Sequence, residues 1–125
     1  MLKTGCVFDL NAIEKFYSDC SKNAGISNSS MFFQMSEDDE FYGMIRMDIE
    51  GDTCVLQDAV VKTENIQYEE FLLKSCVNFA LTFSAKKLKT SMKYKQFLIP
   101  MHFEVWGDEL VGDVGEIDFP HTCCG

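Results

Sequence analysis

Six cysteines, at positions 6, 20, 54, 76, 123 and 124, have the widest chemical repertoire in this chain. A thiolate can serve as nucleophile, metal ligand or redox centre. No Cys-x-x-Cys pair occurs, so neither a zinc ribbon nor a thioredoxin-type motif is written here. Cys54 and Cys76 stand inside apolar stretches and read as small buried hydrophobes. His121-Thr122-Cys123-Cys124 gathers three more metal-competent side chains at the C-terminal end. A closed zinc site needs about four N or S ligands, and the rest would have to come from Cys6, Cys20 or His102. Adjacent cysteines suit a packed tail or a redox-sensitive thiol pair better, so no metal is expected.

Lys86, Lys87, Lys89, Lys93 and Lys95 cluster within a short stretch of a chain that holds only 11 basic residues. Such a patch attracts a phosphate or an acidic partner, or it keeps an exposed edge strand from aggregating. Only Tyr94 interleaves with the lysines and no arginine joins them, so the stretch is a poor nucleic-acid site. The run Glu37-Asp38-Asp39-Glu40 lacks the spaced oxygen ligands and glycine of a calcium loop, and reads as a solvated turn. Met31, Met35, Met44 and Met47 read as strand core. Over the whole chain 20 acidic residues against 11 basic give a net charge of −9. That field repels phosphate backbones and anionic lipid, so neither nucleic-acid nor membrane-surface binding is expected. No apolar run reaches the roughly 18 residues of a membrane span, and the N-terminus lacks an export-signal core. A cytoplasmic protein with free thiols is the expectation.

At 125 residues the chain is expected to form one domain over 1–125. Gly5 to Leu10 reads as a first strand. Asn11 can cap a helix in which Ala12, Ile13, Phe16, Tyr17 and Cys20 recur at helical spacing. Asn23 to Ser30 reads as a loop, Met31 to Met35 as a strand. Phe41 to Ile49 and Thr53 to Lys62 alternate as two long strands joined at Glu50-Gly51-Asp52, an antiparallel hairpin. Asn65 can cap the next helix. Leu72, Cys76, Phe79 and Phe83 share one face there, and Leu73, Val77, Ala80 and Leu81 widen it, which predicts deep burial. Lys86 to Ser91 reads as a strand or connector, and Lys93 to Ile99 as a short helix stopped at Pro100. Phe103 to Trp106 and Glu109 to Phe119 form a second hairpin. The order predicts an α/β (α+β) fold, a mixed and mostly antiparallel central sheet flanked by helices.

Three stretches give this order a family likeness. Phe41-Tyr42-Gly43-Met44-Ile45-Arg46, Leu56 to Lys62 followed by Tyr68 to Phe83, and Phe97 to Trp106 with Phe103-Glu104 resemble the GNAT superfamily of acyl-CoA-dependent N-acyltransferases. In order they are similar to its third strand, its central strand with the cofactor-binding helix, and its closing helix with the Gly-Phe-Glu signature. The resemblance implies acetyl-CoA held between the fourth and fifth strands. The backbone of Val60, Val61 and Lys62 would pair with the pantetheine arm, and Asn65, Gln67 and Tyr68 at the helix N-terminus would meet the pyrophosphate. It further implies Asp58 as general base for an amine and Tyr94 as a substitute for the family's catalytic tyrosine.

The chain also departs from the pattern. The family's cofactor loop, Arg/Gln-x-x-Gly-x-Gly/Ala, is replaced by Thr63-Glu64-Asn65-Ile66-Gln67-Tyr68, without glycine or arginine. Leu98 falls where the tyrosine is usual, and His102 where the glycine is. Two expectations therefore stand together. One is an acetyl-CoA-dependent N-acetyltransferase acting on a small-molecule amine or a protein. The other is a catalytically inactive GNAT-fold binding or regulatory module, homodimeric through exposed strand edges.

Overall fold

The computed structural model describes residues 2–62, 65–82 and 85–117. The segment His121-Thr122-Cys123-Cys124, together with Thr63, Glu64, Phe83 and Phe119, lies outside them. The elements are β1 (Lys3–Val7), α1 (Leu10–Asp19), β2 (Ser30–Glu37), β3 (Glu40–Glu50), β4 (Thr53–Leu56), β5 (Val60–Val61), α2 (Ile66–Ala80), β6 (Lys87–Ser91), α3 (Lys95–Leu98), β7 (Glu104–Trp106) and β8 (Glu109–Asp113). Short 3-10 turns, Met92–Tyr94 and Ile99–Met101, flank α3. The strands form one sheet in the order β1-β2-β3-β4-β6-β8-β7, with β5 paired to β3. Among the described residues all pairings are antiparallel except β4 with β6.

Local chemistry explains most of the boundaries. Asp38 and Asp39 both take positive φ, 52° and 65°, the backbone of a type I′ turn, so the acidic run closes the β2–β3 hairpin. Asn65 caps α2 as its sequence suggests, its Oδ1 accepting from Gln67 N–H at 2.9 Å and Tyr68 N–H at 3.3 Å. Helix α1 is capped by Asp9 rather than Asn11. The Asp9 carboxylate accepts from Asn11 N–H and Ala12 N–H (3.0 and 3.2 Å), and Asn11 is already inside the helix. β8 ends at Asp113, where the Asp113 side chain accepts from Gly115 N–H and starts a turn. The lysine-bearing strand β6 lies inside the sheet between β4 and β8, so it is no edge. Leu88 and Thr90 alternate inward there, while Lys87 and Lys89 stand on the half-exposed face.

Alternation along β2 and β3 sends apolar side chains to both faces of the sheet. Phe33, Met35, Ile45 and Met47 pack with Leu72, Leu73, Cys76 and Val77 of α2, and this core continues to Tyr94, Leu98 and Phe103. Phe32 and Met44 face the other way, against Ile13, Phe16 and Tyr17 of α1. The result is three layers, helix on sheet on helix. Gly43 marks the closest approach on the α2 side, since a Cβ there would stand 2.8 Å from Leu72 Cδ2 and 3.3 Å from the Val60 carbonyl.

Burial raises every proton-binding constant resolved in these cores. The Cys54 thiol is pushed from its ordinary 9.0 to about 11, and Cys76, Tyr17 and Tyr94 are also driven upward by desolvation. The folded state therefore holds these protons more tightly than the unfolded chain does. Their contribution to stability is complete below about pH 9 and falls as pH rises through the folded values. The urea midpoint of the reduced protein is expected to be lower at about pH 10.5 than at about pH 8; equal midpoints would contradict this burial.

Candidate functional site

The strand expected to run unbroken from Thr53 to Lys62 is interrupted. β4 ends at Leu56, Gln57-Asp58-Ala59 form a break, and β5 resumes at Val60. On one side Gln57 N–H still donates to the Arg46 carbonyl (2.8 Å) and Lys62 N–H to the Tyr42 carbonyl (2.8 Å), so β3 holds both ends of the interruption. On the other side β4 and β6 pair only through Thr53↔Lys87, Cys54↔Leu88 and Val55↔Lys89. The Thr90 hydroxyl, donating to the Leu56 carbonyl at 2.9 Å, is the last tie before the parallel strands separate. Tyr94 stands in the fork of that separation, its ring buried and its Oη accepting from Ala59 N–H at 2.6 Å.

This geometry sorts the residues expected to hold a ligand. Hydrogen-bonded and non-bonded pairs alternate along an antiparallel ladder. Lys62 is bonded to Tyr42, so Val61, opposite Gly43, turns its own N–H and C=O away from β3 into the gap. Val60, opposite Met44, faces β3 as Lys62 does. Of the three backbones expected to be free, Val61 alone faces the opening. The Lys62 ammonium is tied to Glu40 at 2.9 Å, and that hydrogen bond raises its pKa. Tyr68 packs edge-on against Tyr42, with ring centroids 6.4 Å apart. Gln67 contributes an N–H that Asn65 already caps.

Two adjoining cavities follow the break. One, of about 400 Å³, is walled by Val60 and Val61, by Asn65 and Glu69 of α2, and by Lys22 beyond α1. The other, of about 300 Å³, reaches Tyr17, Arg46, Asp58 and Lys93, and shares Lys22, Ala59 and Val60 with the first. Asp58 is not in a strand. Its side chain is 61% exposed, and its carboxylate lies 3.7 Å from the Lys93 ammonium. Tyr94 belongs to the α2-side core, whereas that carboxylate faces solvent.

The strongest polar assembly at the site went unread in the sequence. Asp48 Oδ2 accepts from Arg46 Nε (3.2 Å) and Gln57 Nε2 (2.9 Å), and its Oδ1 accepts from Ser30 Oγ (2.7 Å). Arg46 Nη1 donates to the carbonyls of Ala24 (3.0 Å) and Gly25 (2.8 Å). Gly25 has φ +62°, and a Cβ there would collide with the Arg46 guanidinium, so the crossing needs glycine. This network fastens the loop after α1 over the second cavity. The available signal was the spacing, two opposite charges two residues apart on one face of an otherwise apolar strand.

At the closing helix Leu98 is fully buried where the resemblance expects tyrosine. His102 adopts φ 71°, the left-handed region that explains why a glycine suits that position. Among the described residues no group of three or more His, Cys, Asp or Glu side chains could hold a metal. No helix among them is long and apolar enough to cross a membrane.

Tyr94 can be tested directly. With Tyr94→Phe the buried Ala59 N–H loses its acceptor, which costs about 1–3 kcal/mol. The expected result is a lower urea midpoint with cores otherwise intact, and an unchanged midpoint would remove Tyr94 from this structural role.

No protein-family model and no curated protein sequence matches the chain. Solved structures do. An N-acetyltransferase from Staphylococcus aureus Mu50 is similar with a TM-score of 0.74 at 14% identity, over 91% of this chain and 98% of that one. The ribosomal-protein-S18-alanine N-acetyltransferase from Escherichia coli gives 0.66 at 10% identity, over 98% of both chains. A Bacillus subtilis acetyltransferase in complex with CoA gives 0.66 at 10% identity, over 90% of this chain and 99% of that one. At such identities the likeness speaks for the fold. Three layers, this strand order and the single parallel pair that parts at a broken strand give this chain the fold of the GNAT superfamily of acyl-CoA N-acyltransferases.

Proposed function

We propose that this chain is an N-acyltransferase whose donor is an acyl thioester, acetyl-CoA in the simplest case, held in the gap between β5 and β6. The observation that carries this reading is the separation of β4 from β6 beyond Val55↔Lys89, with the Val61 backbone turned into the opening. An extended pantetheine arm carries amides that can pair with that N–H and C=O as an added strand would. The arm fits the residues present; the diphosphate does not. Two of the helix N-terminal amides that would receive it, those of Gln67 and Tyr68, are capped by Asn65, and Glu69 shares the cavity wall. When bound, the thioester supplies an activated acyl group. The chain's own part is to align it with an amine in the second cavity, beside Asp58 and Lys93, and catalysis rests on proximity and orientation.

A second reading has its own observation. Tyr94 is buried in the core, and desolvation pushes its phenol far above its ordinary range despite the N–H it accepts from Ala59, so it is a poor acid for a departing thiolate. That favours a domain that keeps the donor site and has lost turnover.

Calorimetric titration with acetyl-CoA, followed by thiol release in the presence of an amine panel, separates the two. Saturable binding below about 1 mM with amine-dependent release supports the transferase. Binding without release supports the inactive module, and no heat up to millimolar cofactor overturns both.

A further inference from the structure

We propose that this gap recognises its donor by the pantetheine thioester arm and gains almost no affinity from the diphosphate of CoA, so that acyl-pantetheine serves as well as acyl-CoA. The inference rests on the donor reading above and goes beyond it in naming what the site selects. The amides of Gln67 and Tyr68 at the start of α2 are two of the donors that an anion there would use, and Asn65 Oδ1 already accepts from both. A diphosphate would have to displace that cap. Lys22 and Glu69 both line the same cavity, so its described side chains sum to no positive charge. The whole chain carries −9, a field that opposes a polyanionic nucleotide. Against this stands the arm's own partner, the Val61 backbone, which no phosphate is needed to engage.

The experiment is parallel calorimetric titration of the full chain with acetyl-CoA and acetyl-pantetheine, at low and at moderate salt. A phosphate held by two backbone N–H groups gains about tenfold or more from each. The expected result is dissociation constants within about threefold of each other, with acetyl-CoA affinity that does not fall as salt rises. Acetyl-CoA binding about tenfold tighter or more, and weakening with salt, would overturn the inference while leaving the donor site standing. No binding of either compound would overturn the donor site and the inference together. Asn65→Gly is the second arm, because glycine is nearly as good a cap and the helix is kept. Freeing the two amides is expected to raise acetyl-CoA affinity severalfold and leave acetyl-pantetheine unchanged. Unchanged or weakened acetyl-CoA binding in that variant would contradict the role given to Asn65.

Discussion

Asp48→Ala is expected to lower the stability of the domain by about 3 kcal/mol, the low end of what removing one partner of a buried ion pair costs. Asp48 is 9% exposed and serves three side chains at once, Ser30, Arg46 and Gln57. Without it the Arg46 guanidinium keeps only the carbonyls of Ala24 and Gly25, and its charge has no counter-ion in the sheet. Arg46 is partly open to water, so solvent relieves some of the cost. In a domain whose whole stability is about 5–15 kcal/mol, the loss would move the urea midpoint by about 1–3 M. A change below about 1 kcal/mol would mean that the network is not what fastens the loop over the second cavity.

Val61→Pro is expected to weaken acetyl-CoA binding by at least about tenfold while the fold survives. Proline removes the one amide in β5 that points into the gap and places its ring there instead. The ladder to β3 is untouched, because the neighbouring Lys62 N–H makes that bond to Tyr42. Circular dichroism and the urea midpoint would report whether the sheet holds. Unchanged affinity in a folded variant would show that the arm, if bound, lies elsewhere.

Much of this fold was legible. The alternation from Phe41 to Ile49, the turn at Gly51 and the broad apolar stripe from Leu72 to Ala80 each follow from side-chain period alone. What was not legible is what distant contacts decide. Leu56-Gln57-Asp58-Ala59-Val60 reads as continuous strand, and only the Tyr94 hydroxyl, reaching Ala59 N–H from another part of the chain, shows where it breaks. Asp9 and Asn11 are both good caps two residues apart, and local pattern does not choose between them. The lysines of β6 looked like an edge because a sequence gives exposure but not strand order. At the site, backbone direction matters more than residue type. That is why Val60, Val61 and Lys62 looked equivalent until the ladder to β3 was known.

The most direct test of the donor site is an amide-resolved NMR titration with acetyl-CoA. The account predicts that the Val61 amide resonance moves saturably and further than that of Lys62, which β3 holds. Saturable shifts centred on Gln67 and Tyr68 with Val61 unmoved, or no shifts at millimolar cofactor, would contradict it.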